Sequence, residues 1–171
     1  QPIPYAEAMP TVVEQSQRRL ILSWETPEQD IDVQQEIELP RQGYSLNYQV
    51  RVNSPMPATT YLLAPVQLRD RRGDEEILVF WQDRLFEEKD RGVRSEYDNR
   101  LQWIGIREDN DYLLLMVPTR SISRGFLQED YWGTASARAD ASWILYAGPQ
   151  NYPYMRLTNN MVTGATGEDH H

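Results

Sequence analysis

Residues 44–52, Tyr44-Ser45-Leu46-Asn47-Tyr48-Gln49-Val50-Arg51-Val52, alternate large apolar and polar side chains without a break. Side chains on a strand point to opposite faces with a period of two, so this stretch predicts a half-buried β-strand with one wet face. Pro55 and Pro57 end it. The next run, Tyr61-Leu62-Leu63-Ala64-Pro65-Val66-Gln67-Leu68, reads as an edge strand, because Pro65 cannot donate to a central ladder. A turn at Arg71-Arg72-Gly73-Asp74 is expected to join it, as a hairpin, to Ile77-Leu78-Val79-Phe80-Trp81.

The same reading extends in both directions. Leu20, Ile21, Leu22 and Trp24 form a short apolar run closed by Glu25-Thr26-Pro27, and Ile31, Val33, Ile37 and Leu39 mark a polar-rich strand or strand pair bounded by Pro40. Leu101-Gln102-Trp103-Ile104-Gly105-Ile106 and Tyr112-Leu113-Leu114-Leu115-Met116-Val117 flank the acidic turn Glu108-Asp109-Asn110-Asp111, which predicts a strand-turn-strand in the core. Ser142-Trp143-Ile144-Leu145-Tyr146 reads as a strand and Tyr152-Pro153-Tyr154-Met155-Arg156-Leu157 as a weaker last one. Two short helical pieces are expected, one at 83–91 with Asp83 as its cap and one turn at 135–141.

About eight or nine short strands separated by Gly, Pro, Asp and Asn clusters point to an all-β fold, an antiparallel β-sandwich of jelly-roll or immunoglobulin-like type with at most one or two short helices; a β-barrel is the alternative. Residues 1–10, with Pro2, Pro4 and Pro10, are expected to run as an extended arm, residues 11–163 to form one sandwich domain, and residues 164–171 to be a loose tail. Gln1 is consistent with a processed mature end, and His170-His171 with the remnant of a purification tag.

Composition narrows the chemistry. The chain has no cysteine and no histidine before residue 170, which removes thiolate nucleophiles, cysteine and histidine metal sites and Ser-His-Asp arrangements from its body. A net charge of −9 disfavours nucleic acid as a partner, and no apolar run approaches the roughly 20 residues that span a bilayer as a helix. Lys89 is the only lysine, and the other sixteen basic residues are arginine, whose planar fork suits interfaces.

Candidate sites remain. Glu108, Asp109, Asn110 and Asp111 set four oxygen-bearing side chains in one turn, a donor set suited to Ca2+, although Asp and Asn are also ordinary turn residues and no cofactor is expected. Arg72-Gly73-Asp74 resembles an adhesion tripeptide and suits a tight turn equally. Trp81, Trp103 and Trp143 lie inside apolar runs and are expected in the core. Tyr131, Trp132, Tyr152 and Tyr154 fall in expected loops, where they would form a contact platform for a protein or a sugar.

These features favour a non-enzymatic interaction or structural subunit of an extracellular, periplasmic or particle-borne assembly, held by protein partners or by self-assembly through the N-terminal arm. A carbohydrate-binding module using the loop aromatics is the alternative. A glycosidase or lyase working through paired carboxylates is the third reading.

Overall fold

The alternation at 44–52 becomes the strand β4 (Ser45–Asn53), and it lies in the middle of the larger of two antiparallel sheets. The computed structural model describes residues 9–26, 30–40, 43–65, 75–88, 95–108, 112–119, 123–128 and 131–149. Among them every regular element is a strand, so the chain is an all-β, sandwich-like fold rather than a closed barrel.

The first described strands form a meander: β1 (Thr11–Gln15), β2 (Arg19–Thr26), β3 (Ile31–Glu38) and β4, each paired with the next. It crosses to the second sheet as β5 (Thr60–Pro65) and returns as the hairpin β6 (Glu75–Trp81) and β7 (Arg84–Glu88). The short β8 (Ser95–Tyr97) joins the second sheet, and β9 (Leu101–Glu108) and β10 (Tyr112–Thr119) form a hairpin in the first. A second-sheet hairpin, β11 (Ser123–Leu127) and β12 (Tyr131–Ser136), precedes the last described strand, β13 (Asp140–Pro149). Among the described residues the large sheet has nine strands in the order β1-β2-β3-β4-β13-β10-β9-β6-β7, and the small sheet has four in the order β5-β12-β11-β8.

The small sheet packs on one face of the large one, and large apolar side chains fill the space between them. Trp132 and Leu127 from the small sheet meet Val79, Ile104 and Met116 from the large one. Trp143 is also fully buried, and its indole N–H donates to Thr134 Oγ1 at 2.9 Å, so the one polar atom it carries into the core is satisfied across the sheets. Leu62 of β5 reaches a neighbouring cluster built on Val33, Val50, Ala141 and Trp143. On the opposite face of the large sheet Leu78, Leu113, Leu115, Val117, Ile144 and Tyr146 form a second apolar cluster.

Four local expectations are corrected. The segment expected as a helix at 83–91 is, over Arg84–Glu88, the strand β7. Gln82 and Asp83 both have positive φ, 51° and 60°, which matches the tight-turn geometry whose twist suits a two-residue hairpin. Gln102 clamps that turn, accepting from the Asp83 N–H at 2.8 Å and donating to Asp83 Oδ1 at 2.9 Å. Leu85 and Phe86 then point to opposite faces, Leu85 51% exposed and Phe86 packed on Trp81 and Tyr97, which is a period of two and not of 3.6. The expected turn of helix at 135–141 is the end of β12 and the start of β13; Ala141 packs in the core beside Val50 and Trp143 and Ala135 is buried in the ladder between β5 and β11, contexts that outweigh alanine's weak helical bias.

The expected hairpin between the 61–68 and 77–81 segments does not form. β5 pairs instead with β12, from Thr60↔Ser136 to Pro65↔Tyr131, and is an edge strand as Pro65 requires. Finally, Tyr131-Trp132-Gly133 is not a loop but the start of β12.

Candidate functional site

The small sheet does not match the width of the large one, and its edge strand β5 reaches the β4–β13 region through Leu62. Beyond it, the same face of the meander carries Val12 and Gln15 from β1, Leu20, Leu22 and Trp24 from β2, Ile31, Gln35 and Ile37 from β3, and Tyr48 from β4, placed together by register. None of these side chains is charged. The opposite face of the same strands carries Glu14, Arg19, Glu25, Asp32, Glu36, Glu38 and Arg51, with Arg19 paired to Glu36 at 2.6 Å. In a chain with 25% charged residues that segregation gives the described residues of the meander one neutral face and, on the other side of the sheet, a salt-bridged one.

A diagonal of three side chains organises the neutral surface. The Trp24 indole N–H donates to Gln35 Oε1 at 2.8 Å, and Gln35 Nε2 donates to the Tyr48 hydroxyl oxygen at 3.0 Å. The Tyr48 ring packs against Trp143, centroids 5.9 Å apart, which ties the diagonal to the core. Burial pushes the Tyr48 phenol up from its ordinary value, against a smaller opposing effect of the Gln35 hydrogen bond. Tyr48 therefore stays protonated well above neutral pH. The arrangement offers an indole, an amide and a neutral phenol, groups suited to stacking and to uncharged hydrogen bonds.

A second polar cluster sits at the far end of the sheet, beside β6. Asp98 accepts from the Trp81 indole N–H at 2.8 Å and from Arg100 NH2 at 2.8 Å, while the Arg100 guanidinium lies over the Trp81 ring at 5.3 Å. The Arg100 hydrogen bond, with the Trp81 N–H second, holds the Asp98 carboxyl well below the usual carboxylate range. A carboxylate tuned that way is the opposite of a general acid, and its partners are already bonded to it; the cluster reads as a lock on the 98–100 turn. Its stabilisation is present above the ordinary Asp value near pH 4 and lost as pH falls through the lower folded value. Asp98→Asn is accordingly expected to cost stability at pH 7 and to flatten the acid limb of a thermal-denaturation profile below about pH 4. An acid limb identical to that of the parent would show that Asp98 carries no such linkage.

The residues singled out from sequence are placed unevenly. Trp132 is 1% exposed and faces the core, so it is unavailable for stacking on a ligand; Tyr131 is 48% exposed. Arg72, Asp74, Tyr152 and Tyr154 lie outside the described residues, as do Asp109, Asn110 and Asp111, and of Glu108 only the backbone, at the end of β9, is described. Among the described residues no cluster of three or more acidic or histidine side chains could hold a metal ion. The Trp24–Gln35–Tyr48 diagonal was missed by sequence reading because its members come from three strands. The signal for it was present in the alternation of β3 and β4, whose inward positions include Gln35 and Tyr48.

This is the architecture of solved sandwich proteins named for sugar epimerisation and mutarotation. One is a provisionally assigned aldose 1-epimerase from Escherichia coli K12, with a TM-score of 0.55 at 12% identity, the match covering 82% of this chain and 68% of that one. Another is a galactose mutarotase related enzyme from Lactobacillus acidophilus, with a TM-score of 0.51 at 8% identity, covering 84% of this chain and 72% of that one. At such identities the likeness is one of fold. No protein-family model matches the chain, and no curated protein matches it in sequence.

These neighbours correct the expectation of a non-enzymatic structural subunit of an assembly. That expectation rests on arginine usage, a proline-rich arm, loop aromatics and the lack of catalytic histidine or cysteine, none of which is specific to one fold or function. The sandwich itself is shared with proteins named as sugar enzymes.

Proposed function

We propose that the chain is a saccharide-recognition domain, receiving an uncharged sugar on the meander half of the large sheet. The observation that carries this reading is the Trp24–Gln35–Tyr48 diagonal on a face that, among the described residues of β1 to β4, carries no charged side chain. A pyranose ring has an apolar C–H face and a rim of hydroxyls, and it pairs with an aromatic ring beside neutral donors and acceptors at low desolvation cost. The sandwich fold shared with proteins named as an aldose 1-epimerase and a galactose mutarotase related enzyme supports a sugar as the ligand. Catalysis by this chain would need a proton donor and acceptor at the anomeric carbon, whereas the diagonal supplies binding and orientation.

Titration of the protein with methyl galactopyranosides and methyl glucopyranosides, followed by heteronuclear NMR, tests the reading. The Trp24 indole N–H resonance is expected to shift on addition of sugar, and Trp24→Ala to weaken binding about tenfold, the equivalent of one good aromatic contact. Binding of an extended apolar peptide with no response to any glycoside would sink the saccharide reading.

A further inference from the structure

The geometry points to a one-way hydrogen-bond relay that ends on the ligand: Trp24 N–H to the Gln35 carbonyl, Gln35 N–H to the Tyr48 oxygen, and the Tyr48 O–H donated to an uncharged acceptor oxygen of the sugar. The direction is fixed by chemistry. An indole nitrogen only donates, so the Gln35 atom 2.8 Å from Trp24 Nε1 is the carbonyl oxygen. The amide nitrogen is then the atom 3.0 Å from the Tyr48 hydroxyl, which must accept from it. The Tyr48 proton is left over, and among the described residues no acceptor takes it. Chained hydrogen bonds polarise one another in the same sense, so the terminal hydroxyl is a strengthened donor. Burial keeps the phenol protonated, so that donor persists across the neutral range.

The relay rests on the saccharide reading and narrows its ligand. The site takes a sugar that presents an oxygen acceptor to Tyr48 while its C–H face lies toward the indole. A uronate would bring a charge onto a neutral surface, and an ammonium sugar would present a donor to a donor; both are expected to bind less well than the neutral parent.

A deoxy-sugar cycle tests the relay. The probes are the best-binding methyl glycoside of the titration above and its four monodeoxy derivatives, measured against the parent protein, Tyr48→Phe and Gln35→Glu. With the parent protein, one deoxy position is expected to lose about five- to tenfold in affinity, the worth of one neutral hydrogen bond. In Tyr48→Phe that same penalty vanishes, because the donor is gone. Gln35→Glu converts the amide to a group that only accepts, turns the Tyr48 proton inward and removes the penalty while the ring remains.

If the parent protein binds the glycoside and Trp24→Ala weakens it, yet Tyr48→Phe retains the full deoxy penalty, the relay is overturned and the saccharide reading stands. If Tyr48→Phe does not fold, a penalty that survives in Gln35→Glu, or the lack of one at every position in the parent protein, overturns the relay by itself. Absence of binding by the parent protein overturns both.

Discussion

Trp132→Ala is expected to lower the unfolding free energy by about 3–5 kcal/mol, the largest loss of any single substitution considered for this chain. Trp132 is 1% exposed and sits between the sheets among Val79, Ile104, Met116 and Leu127. Removing the indole forfeits its transfer free energy and leaves a cavity between two sheets whose strands are hydrogen-bonded on both sides, so the walls can relax only in part. Urea denaturation should show a lower midpoint with an unchanged slope. A loss below about 1 kcal/mol would mean that the indole does not fill the core.

Gly133→Ala is expected to cost about 3 kcal/mol by a different route. A Cβ at position 133 would fall on the backbone carbonyl oxygen of Leu62 in the neighbouring strand. Backbone cannot rotate away as a side-chain end can, so β5 and β12 must separate. Amide hydrogen exchange should show the protection of the 60–65 segment collapsing while that of the β9–β10 hairpin persists. Equal protection of β5 in the variant and the parent would show that the close approach is not required.

The strands were legible wherever one face is wet or where a run is wholly apolar. The alternation at 44–52 gave β4, the runs at 101–106 and 112–117 gave a hairpin, and Pro65 gave an edge strand. Pairing was less legible. Nearness in sequence favours a hairpin between β5 and β6, whereas Leu62 and Ala64 find their apolar partners near the distant β12. Trp132 was misplaced because Gly133 beside it reads as loop; in the fold that glycine marks close strand approach. The charged residues after Leu85 imitated a helix start, and two residues with positive φ at 82–83, neither of them glycine, overrode that imitation. For the candidate site, the sequence indicated the class of side chain, large aromatics beside neutral polar groups; of the aromatics it singled out, Trp132 is buried in the core, Tyr131 is exposed, and Tyr152 and Tyr154 lie outside the described residues. Which aromatics share a face depends on a register among three strands that no local pattern specifies.

The pairing of β4 with β13 has a consequence for how the molecule is made. Ser45–Asn53 and Asp140–Pro149 lie side by side at the centre of the large sheet. At ordinary rates of synthesis, the chain that separates them takes about five to twenty seconds to emerge. Throughout that interval the four-stranded meander ends in an open edge, with Val50 and Tyr48 still lacking Ala141 and Trp143 as neighbours. The strand that joins the two halves of the sheet is thus made after every other described strand. Closure of the large sheet should therefore wait for the synthesis of β13 rather than accompany the growth of the meander.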